Sequence, residues 1–364
     1  MKIFSVVGAR PQFIKAATIC RAFVPIAEVT HQIIHTGQHY DKGMSDIFFS
    51  ELEIDSPSYN LGINSKSHGA MTGKMLEEIE TILQREKPDL LIVYGDTNST
   101  LAGALAAAKL NIPVAHIEAG LRSYNRQMPE EINRIVADDV AELLYAPTLN
   151  AQKILLSENK SPDSIYFYGD IMLDAALHAS QRVDADQVGR SYQVEKGKYC
   201  LCTLHRAENT DNPDRLLTWF TGLEEIARET KVILPLHPRT SKRLKEAGKS
   251  PHDYPHIQMI KPIGYLEMVS LTKNAKQVIT DSGGLQKEAY FHKVPCLILR
   301  NETEWIELVE SKWSQLVKCN ASELEEAHRK MRTPHQEAEA AIYGNGDAAL
   351  KISQSIIEFL NSKR

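Results

Sequence analysis

Three acidic side chains stand where a strand gives way to a turn or where a helix begins, and acids in such places can move protons. Leu90-Leu91-Ile92-Val93-Tyr94 runs into Gly95-Asp96-Thr97-Asn98-Ser99-Thr100, which puts Asp96 ahead of three hydroxyls at the carboxyl end of an apolar run. Glu118 ends a second such run, Pro113-Val114-Ala115-His116-Ile117. A carboxylate there is expensive unless it is paired or used. Glu130 lies in the first turn of a helix opened by Pro129-Glu130-Glu131-Ile132-Asn133-Arg134. Each also has a plainer reading: Asp followed by Thr or Ser caps helices, and Glu in a first turn complements the helix dipole. Convergence of the three on one cleft edge is what would make acid–base chemistry the better reading.

Other segments suit anions. Gly8-Ala9-Arg10-Pro11-Gln12-Phe13-Ile14-Lys15 combines a glycine turn, a proline fit for a helix start, and the cations Arg10 and Lys15 around its first turn. It is not a G-x-G-x-x-G fingerprint, so no nicotinamide is expected there. His205, beside Arg206, and His237, close to Arg239, end two further apolar runs in matching positions, which suits phosphate or sugar contacts. In Val278-Ile279-Thr280-Asp281-Ser282-Gly283-Gly284-Leu285-Gln286-Lys287-Glu288 a strand enters a turn that opens a helix. The amides of Ser282, Gly283 and Gly284 and the helix dipole can hold a diphosphate, and Glu288, one turn in, can accept hydrogen bonds from a ribose diol. The plain alternative is an ordinary helix start with a solvent-facing Glu. His35, His39, His68 and His116 read as structural or surface residues. Neither H-E-x-x-H nor a cysteine cluster is present, so no metal is expected.

The elements that must position these residues repeat. Apolar runs at 2–7, 29–35, 89–94, 113–118, 143–146 and 165–168 alternate with helix-length amphipathic stretches, the pattern of βαβ units on a parallel sheet. A second series starts at Tyr199 and continues through 231–236, 257–261, 277–280, 295–299 and 315–319. Two doubly wound, Rossmann-like α/β domains are expected, 1–168 and 169–347, with a terminal helix over 348–364 packing back on the first. Ligands of such sheets bind outside the carboxyl ends of the strands, which places the expected site in a deep interdomain cleft.

Composition narrows the function. With 43% hydrophobic and 24% charged residues the chain is globular, and a net charge of −5 without a basic run speaks against nucleic acid. The cysteines are odd in number and lack disulfide or zinc spacing, so reduced, buried thiols are expected. Met1-Lys2 before Ile3-Phe4-Ser5-Val6-Val7 is wrongly flanked for a signal peptide, and no run approaches a membrane span. A cytoplasmic protein without a membrane partner is the expectation.

Taken in order, G-A-R-P-Q-x-I-K, G-D-T-N-S-T, H-x-E-A-G-L-R, P-E-E-x-N-R, the His-Arg and Leu-His-Pro segments and D-S-G-G-x-Q-x-E resemble the non-hydrolysing UDP-N-acetylglucosamine 2-epimerase family over nearly the whole chain. The resemblance implies a GT-B fold, a homodimer, no cofactor, and epimerisation at carbon 2 of a UDP-2-acetamido sugar, UDP-GlcNAc to UDP-ManNAc in type. It implies anti-elimination of UDP to a 2-acetamidoglucal followed by re-addition, with the product destined for surface polysaccharide such as the O-antigen of lipopolysaccharide. Carried over by motif, Asp96, Glu118 and Glu130 are the acid and base candidates, and His205 contacts the diphosphate or assists proton transfer. Arg10 and Lys15 stabilise charge, Ser282, Gly283, Gly284 and Glu288 hold the nucleotide, and Arg134 and His237 line the site.

Several segments depart from that pattern. Thr303-Glu304-Trp305 replaces T-E-R, removing a phosphate-contacting Arg that Arg300 could replace, and Met268 stands where relatives stack an aromatic on uracil. The loop 123–128 is two residues short, and Gln38-His39-Tyr40-Asp41 lacks the Arg of members with a regulatory UDP-GlcNAc site. Together with His68-Gly69-Ala70-Met71-Thr72-Gly73 these features resemble the branch acting on UDP-2,3-diacetamido-2,3-dideoxyglucuronate, in which Arg126 would meet a uronate carboxylate. A GT-B glycosyltransferase is the nearest rival, needing an acceptor groove in place of three acids; a hydrolysing epimerase and a nucleotide-sugar sensor follow.

Overall fold

Short runs that are apolar on both faces belong in parallel sheets covered by helices, where neither face of a strand meets water. In the computed structural model, which describes residues 1–38, 56–64, 67–331 and 342–364, such runs build two sheets. The first contains β1 (Lys2–Val7), β2 (Thr30–His35), β3 (Tyr59–Asn60), β4 (Leu90–Tyr94), β5 (Val114–Ile117), β6 (Leu143–Ala146) and β7 (Ile165–Phe167), ordered β3-β2-β1-β4-β5-β6-β7. The second contains β8 (Tyr199–Thr203), β9 (Lys231–Pro235), β10 (Ile257–Ile260), β11 (Gln277–Thr280), β12 (Cys296–Ile298) and β13 (Ser314–Leu316), ordered β10-β9-β8-β11-β12-β13. Among the described residues every strand pairing is parallel. Each order reverses once, between β1 and β4 and between β8 and β11, and ligands of doubly wound sheets collect at such switch points.

The chain divides into two compact units, Met1–Leu177 with Ala340–Arg364, and His178–Glu339. The sequence reading put a boundary at 169. Most of the helix Ile171–Arg182 instead stays with the first unit, because its start is stitched to the returning tail. Asp170 N donates to the Tyr343 carbonyl at 3.0 Å, and Ala349 N donates to Asp174 Oδ1 at 2.9 Å. The tail helix Ala348–Ser362 packs on Arg10–Phe23, with Ser355 Oγ 3.1 Å from the Tyr145 hydroxyl.

Close packing of the first unit rests on small residues. The helix Asn98–Lys109 presents Ala102, Gly103, Ala106 and Ala107 as buried groups. A Cβ on Gly103 would lie 3.1 Å from Val6 Cγ2, so the helix sits as near the sheet as a backbone allows. In the second unit Trp219 is fully buried and donates through Nε1 to Asn209 Oδ1 at 2.9 Å, which satisfies the one polar group of its ring. None of the five cysteines is in a disulfide; Cys200, Cys202 and Cys296 are buried, whereas Cys20 and Cys319 are only half-buried. Among the described residues no helix is long and apolar enough to cross a membrane.

Gly169 marks the junction between strand and returning tail. Its φ is +103°, and a Cβ would lie 2.5 Å from the Tyr343 carbonyl oxygen. Gly169→Ala is expected to lower stability by about 1–3 kcal/mol in chemical denaturation, and an unchanged midpoint would show that this crossing is slack.

Candidate active site

In the first unit the site grows from the ends of β4 and β5. Tyr94 pairs with Ile117, so Gly95-Asp96 and Glu118 leave the sheet side by side. Glu118 adopts φ +72°, a conformation that side-chain-bearing residues seldom take and that gathers at functional sites. Lys15 Nζ donates to Glu118 Oε2, in a pair largely shielded from water. Arg134 Nη2 donates to Asp96 Oδ2, so each of these two acids has a cation of its own. Gly95, at φ +62°, leaves them room: a Cβ there would be 3.0 Å from Glu118 Oε2 and 3.4 Å from Lys15 Nζ.

Asp96 is not the helix cap. That task falls to Thr97, whose hydroxyl accepts from Thr100 N at 3.3 Å. Burial pushes the Asp96 carboxyl up from its ordinary value; Arg134 pulls it back, Glu118 adds to the rise, and the net shift is upward. An acid so placed can hold a proton that an exposed Asp would release.

Glu130, the third acid of the sequence reading, is exposed in the first turn of Pro129–Val140, whereas its neighbour Glu131 is buried. Glu131 Oε2 accepts from Arg134 Nη1 at 3.1 Å, and its two oxygens also take Ser123 N, Ser123 Oγ and Tyr124 N. Burial alone would raise its pKa, but these hydrogen bonds and Arg134 hold it below the usual value. Glu131 therefore aims Arg134 at Asp96 and pins the 123–128 loop. The i, i+3 spacing of Glu131 and Arg134 was the available signal, overlooked because two adjacent Glu residues offer no facing rule at a helix start.

Beneath lies a buried scaffold. His116 Nδ1 is 2.6 Å from Asp138 Oδ1 and its Nε2 is 2.7 Å from the Gly95 carbonyl, which orients the residue preceding Asp96. Asp138 Oδ2 accepts from Gly120 N and Arg122 Nη1, and Arg122 grips Glu158 through two nitrogens at 2.8 and 2.5 Å. His116 is thus a strut, His35 is buried, His68 Nδ1 lies 3.2 Å from Asn98 Nδ2, and His39, Tyr40 and Asp41 fall outside the described residues.

The turn after β1 differs from the expected anion loop. Gly8 N and Ala9 N both donate to Gln12 Oε1, at 2.8 and 3.1 Å, and Gln12 Nε2 donates to the Tyr94 carbonyl at 2.7 Å. Its amides are therefore already used, and Gly8 is required for packing, since a Cβ would be 2.1 Å from Ser99 Oγ. Arg10 is half-buried at the first position of the helix Arg10–Phe23.

In the second unit the ends of β8 and β11 pair through Thr203 and Thr280, whose hydroxyls are 2.6 Å apart. The next residue after β11, Asp281, is fully buried and accepts from His205 N (3.1 and 3.0 Å to its two oxygens), Arg206 N (2.9 Å) and Asn209 Nδ2 (3.2 Å). It shapes the loop that presents His205, whose ring centre lies 5.3 Å from that of His237, the two rings tilted by 30°. His237 caps Pro238–Glu246, its Nδ1 accepting from Arg239 N at 3.1 Å. Ser282 precedes Gly283–Phe291 without capping it by side chain; Gly284 is exposed and Glu288 is buried. Trp305 is buried with Lys287 Nζ 4.0 Å from its ring centre, and Met268 packs against the core. Arg300 is buried and donates to Glu304 at 2.7 Å. Among the described residues no group of His, Cys, Asp and Glu is arranged to hold a metal ion.

The profile of UDP-N-acetylglucosamine 2-epimerase matches residues 23–357. The chain belongs to this family. It is 48% identical to a UDP-N-acetylglucosamine 2-epimerase homolog of Methanococcus maripaludis over 97% of this chain and 98% of that one. It is also 45% identical to the UDP-2,3-diacetamido-2,3-dideoxy-D-glucuronate 2-epimerase of Pseudomonas aeruginosa over 97% and 99%. The crystal structure of Methanocaldococcus jannaschii UDP-GlcNAc 2-epimerase in complex with UDP-GlcNAc and UDP superposes with a TM-score of 0.89 at 43% identity, covering 98% of this chain and all of that one. The two-sheet α/β architecture is accordingly that of the GT-B class.

Asp138 offers a test of this buried support. Burial works against its charge, but His116 and Arg122 more than offset that and hold the carboxyl below its ordinary 3.8. Its contribution is thus complete above 3.8 and is lost as pH falls through the lower folded value. Asp138→Asn should cost about 3–5 kcal/mol at neutral pH, with the gap to the natural protein narrowing in acid. Chemical denaturation at both pH values checks this, and an equal gap would contradict it.

Proposed function

We propose that the protein inverts carbon 2 of a UDP-2-acetamido sugar without hydrolysing it. The hydrogen on that carbon has no neighbouring ketone, so simple deprotonation and reprotonation would face a prohibitive barrier. Removal of the proton is therefore coupled to departure of UDP: a base takes the C2 hydrogen, its electron pair becomes the C1=C2 double bond of a 2-acetamidoglucal, and the C1–O bond breaks. Re-addition of UDP with proton delivery to the other face gives the epimer. Two proton carriers are needed, one for each face.

The observation that carries this reading is the pair of acids at adjacent strand ends, Asp96 with Arg134 and Glu118 with Lys15. Asp96, with its raised pKa, suits the proton-holding role, and Glu118 the accepting one. Glu130, exposed in the first turn of its helix, remains a third candidate. In this proposal the second unit holds UDP, with Ser282, Gly283 and Gly284 at the diphosphate and Glu288 at the ribose. His205, His237, Arg10 and Arg300 stabilise the departing charge. A homodimer and a place in surface polysaccharide synthesis complete the proposal.

A second substrate is favoured by the short 123–128 loop. Ser123 and Tyr124 bind Glu131 at 2.8–2.9 Å while Arg126 is exposed. The relative from Pseudomonas aeruginosa, named for a diacetamido-glucuronate, points the same way. Arg126 in contact with a uronate carboxylate would contribute about 1.5–3 kcal/mol.

Incubation of both UDP-sugars with the protein in deuterated water, followed by NMR, should show deuterium at carbon 2 of an intact UDP-sugar. Free sugar, or no change without an acceptor, would mark a hydrolase or a transferase instead. Asp96→Asn and Glu118→Gln should each lower kcat by about 10²–10⁴-fold while UDP binding persists; full activity in either would remove that acid from the scheme. Arg126→Ala should selectively slow the uronate substrate, and an unchanged preference would remove the second reading.

A further inference from the structure

The segment that lacks the expected T-E-R arginine keeps its glutamate, and the side chain of Glu304 occupies a telling place. Its Oε2 accepts from Arg300 Nη1 at 2.7 Å and its Oε1 lies 3.5 Å from Arg206 Nη2, so each oxygen faces a guanidinium. The same Oε1 is 2.6 Å from where a Cβ on Gly283 would lie, and Arg206 Nη2 is 3.5 Å from that point. A carboxylate and a guanidinium thus lie directly over the turn that begins Gly283–Phe291, and Gly283 is the residue that leaves them space. Ser282 does not cap this helix by side chain. The N-terminus of a helix attracts anions, and the anion beside this one is supplied by the protein.

The geometry points to Glu304 as a built-in stand-in for the diphosphate, neutralising Arg206 and Arg300 in the free enzyme and giving them up when the nucleotide arrives. This rests on the reading above that the Ser282-Gly283-Gly284 turn holds UDP. Arg300 is 5% exposed, and its Nε has no hydrogen-bond partner, with Glu208 Oε2 4.0 Å away. It therefore has donor capacity for a second acceptor. Burial would raise the Glu304 pKa, but Arg300 and Arg206 hold it below the usual range, consistent with an ionised group held between two cations. Lys287, on the helix that this turn opens, is engaged with the Trp305 ring.

A diphosphate carries more charge and more acceptor oxygens than one carboxylate, so exchange favours the nucleotide. Glu304 then remains close enough to repel it. That repulsion tempers the grip of two arginines and lets UDP-sugar leave after turnover, whereas a side chain that merely braced the arginines would strengthen binding. The two roles predict opposite signs.

Calorimetric titration of UDP into the natural protein, Glu304→Gln and Glu304→Asp separates them, alongside thermal melting without ligand. Glu304→Gln should bind UDP about tenfold more tightly and show lower KM and lower kcat, while melting earlier because Arg206 and Arg300 have lost their counter-ion. Glu304→Asp, which keeps the charge, should bind UDP nearly as the natural protein does. Weaker or unchanged UDP binding by Glu304→Gln would overturn the stand-in role and leave the nucleotide site intact. Failure of the natural protein to bind UDP would instead overturn the placement of the nucleotide at this turn.

Discussion

Two carboxylates at the ends of neighbouring strands repel one another strongly where water is scarce, and they remain side by side only if each is balanced separately. Asp96 and Glu118 meet this condition through Arg134 and Lys15. Much of the surrounding structure follows from it. Gly95 must lack a side chain so that Glu118 and Lys15 can approach. Glu131 must turn inward to aim Arg134, and His116 must hold the Gly95 carbonyl so that Asp96 emerges at a fixed angle. The strained backbone of Glu118 is tolerated because Glu118 N and Ala119 N both donate to the Tyr145 carbonyl, at 3.1 Å each.

The second unit solves a different problem with similar parts. Asp281 is as buried as any acid in the chain, yet its oxygens are consumed by two backbone amides and an asparagine. It shapes a loop and leaves the chemistry to its neighbours. Asp138 does the same for the first unit. Burial therefore does not separate the acids proposed to move protons from the scaffolding ones, and neither does a cation, since Asp138 pairs with Arg122; Asp138 and Asp281 each also accept loop amides that they hold in place.

The apolar runs foretold the strands well, since a segment without a polar face has few other places in an α/β fold than a strand covered on both sides. The two-residue strand Tyr59–Asn60 was beyond reach, because pairing of that length leaves no period to detect. Asp96 and Glu118 were legible for a physical reason: a charge at the end of an apolar run demands an explanation. The facing of Glu130 and Glu131 was not, since both suit a first turn and only tertiary contact selects between them. Nor could the turn after β1 be read correctly, because Gln12 folds back to occupy amides that appear in the sequence as an open glycine loop. The loss of an arginine at 305 likewise reads as a missing charge, whereas in three dimensions Trp305 packs under Lys287 and two other arginines gather around Glu304.

In the proposed scheme, reversible departure of UDP from the sugar is the step on which these placements bear. The most direct measurement uses UDP-sugar bearing oxygen-18 in the bridge between the anomeric carbon and the β-phosphate, followed by phosphorus NMR during turnover. If the bond breaks and UDP pauses at its site, rotation of the freed phosphate should scatter the label into non-bridging positions as carbon 2 inverts. Inversion at carbon 2 with every label still in the bridge would contradict it.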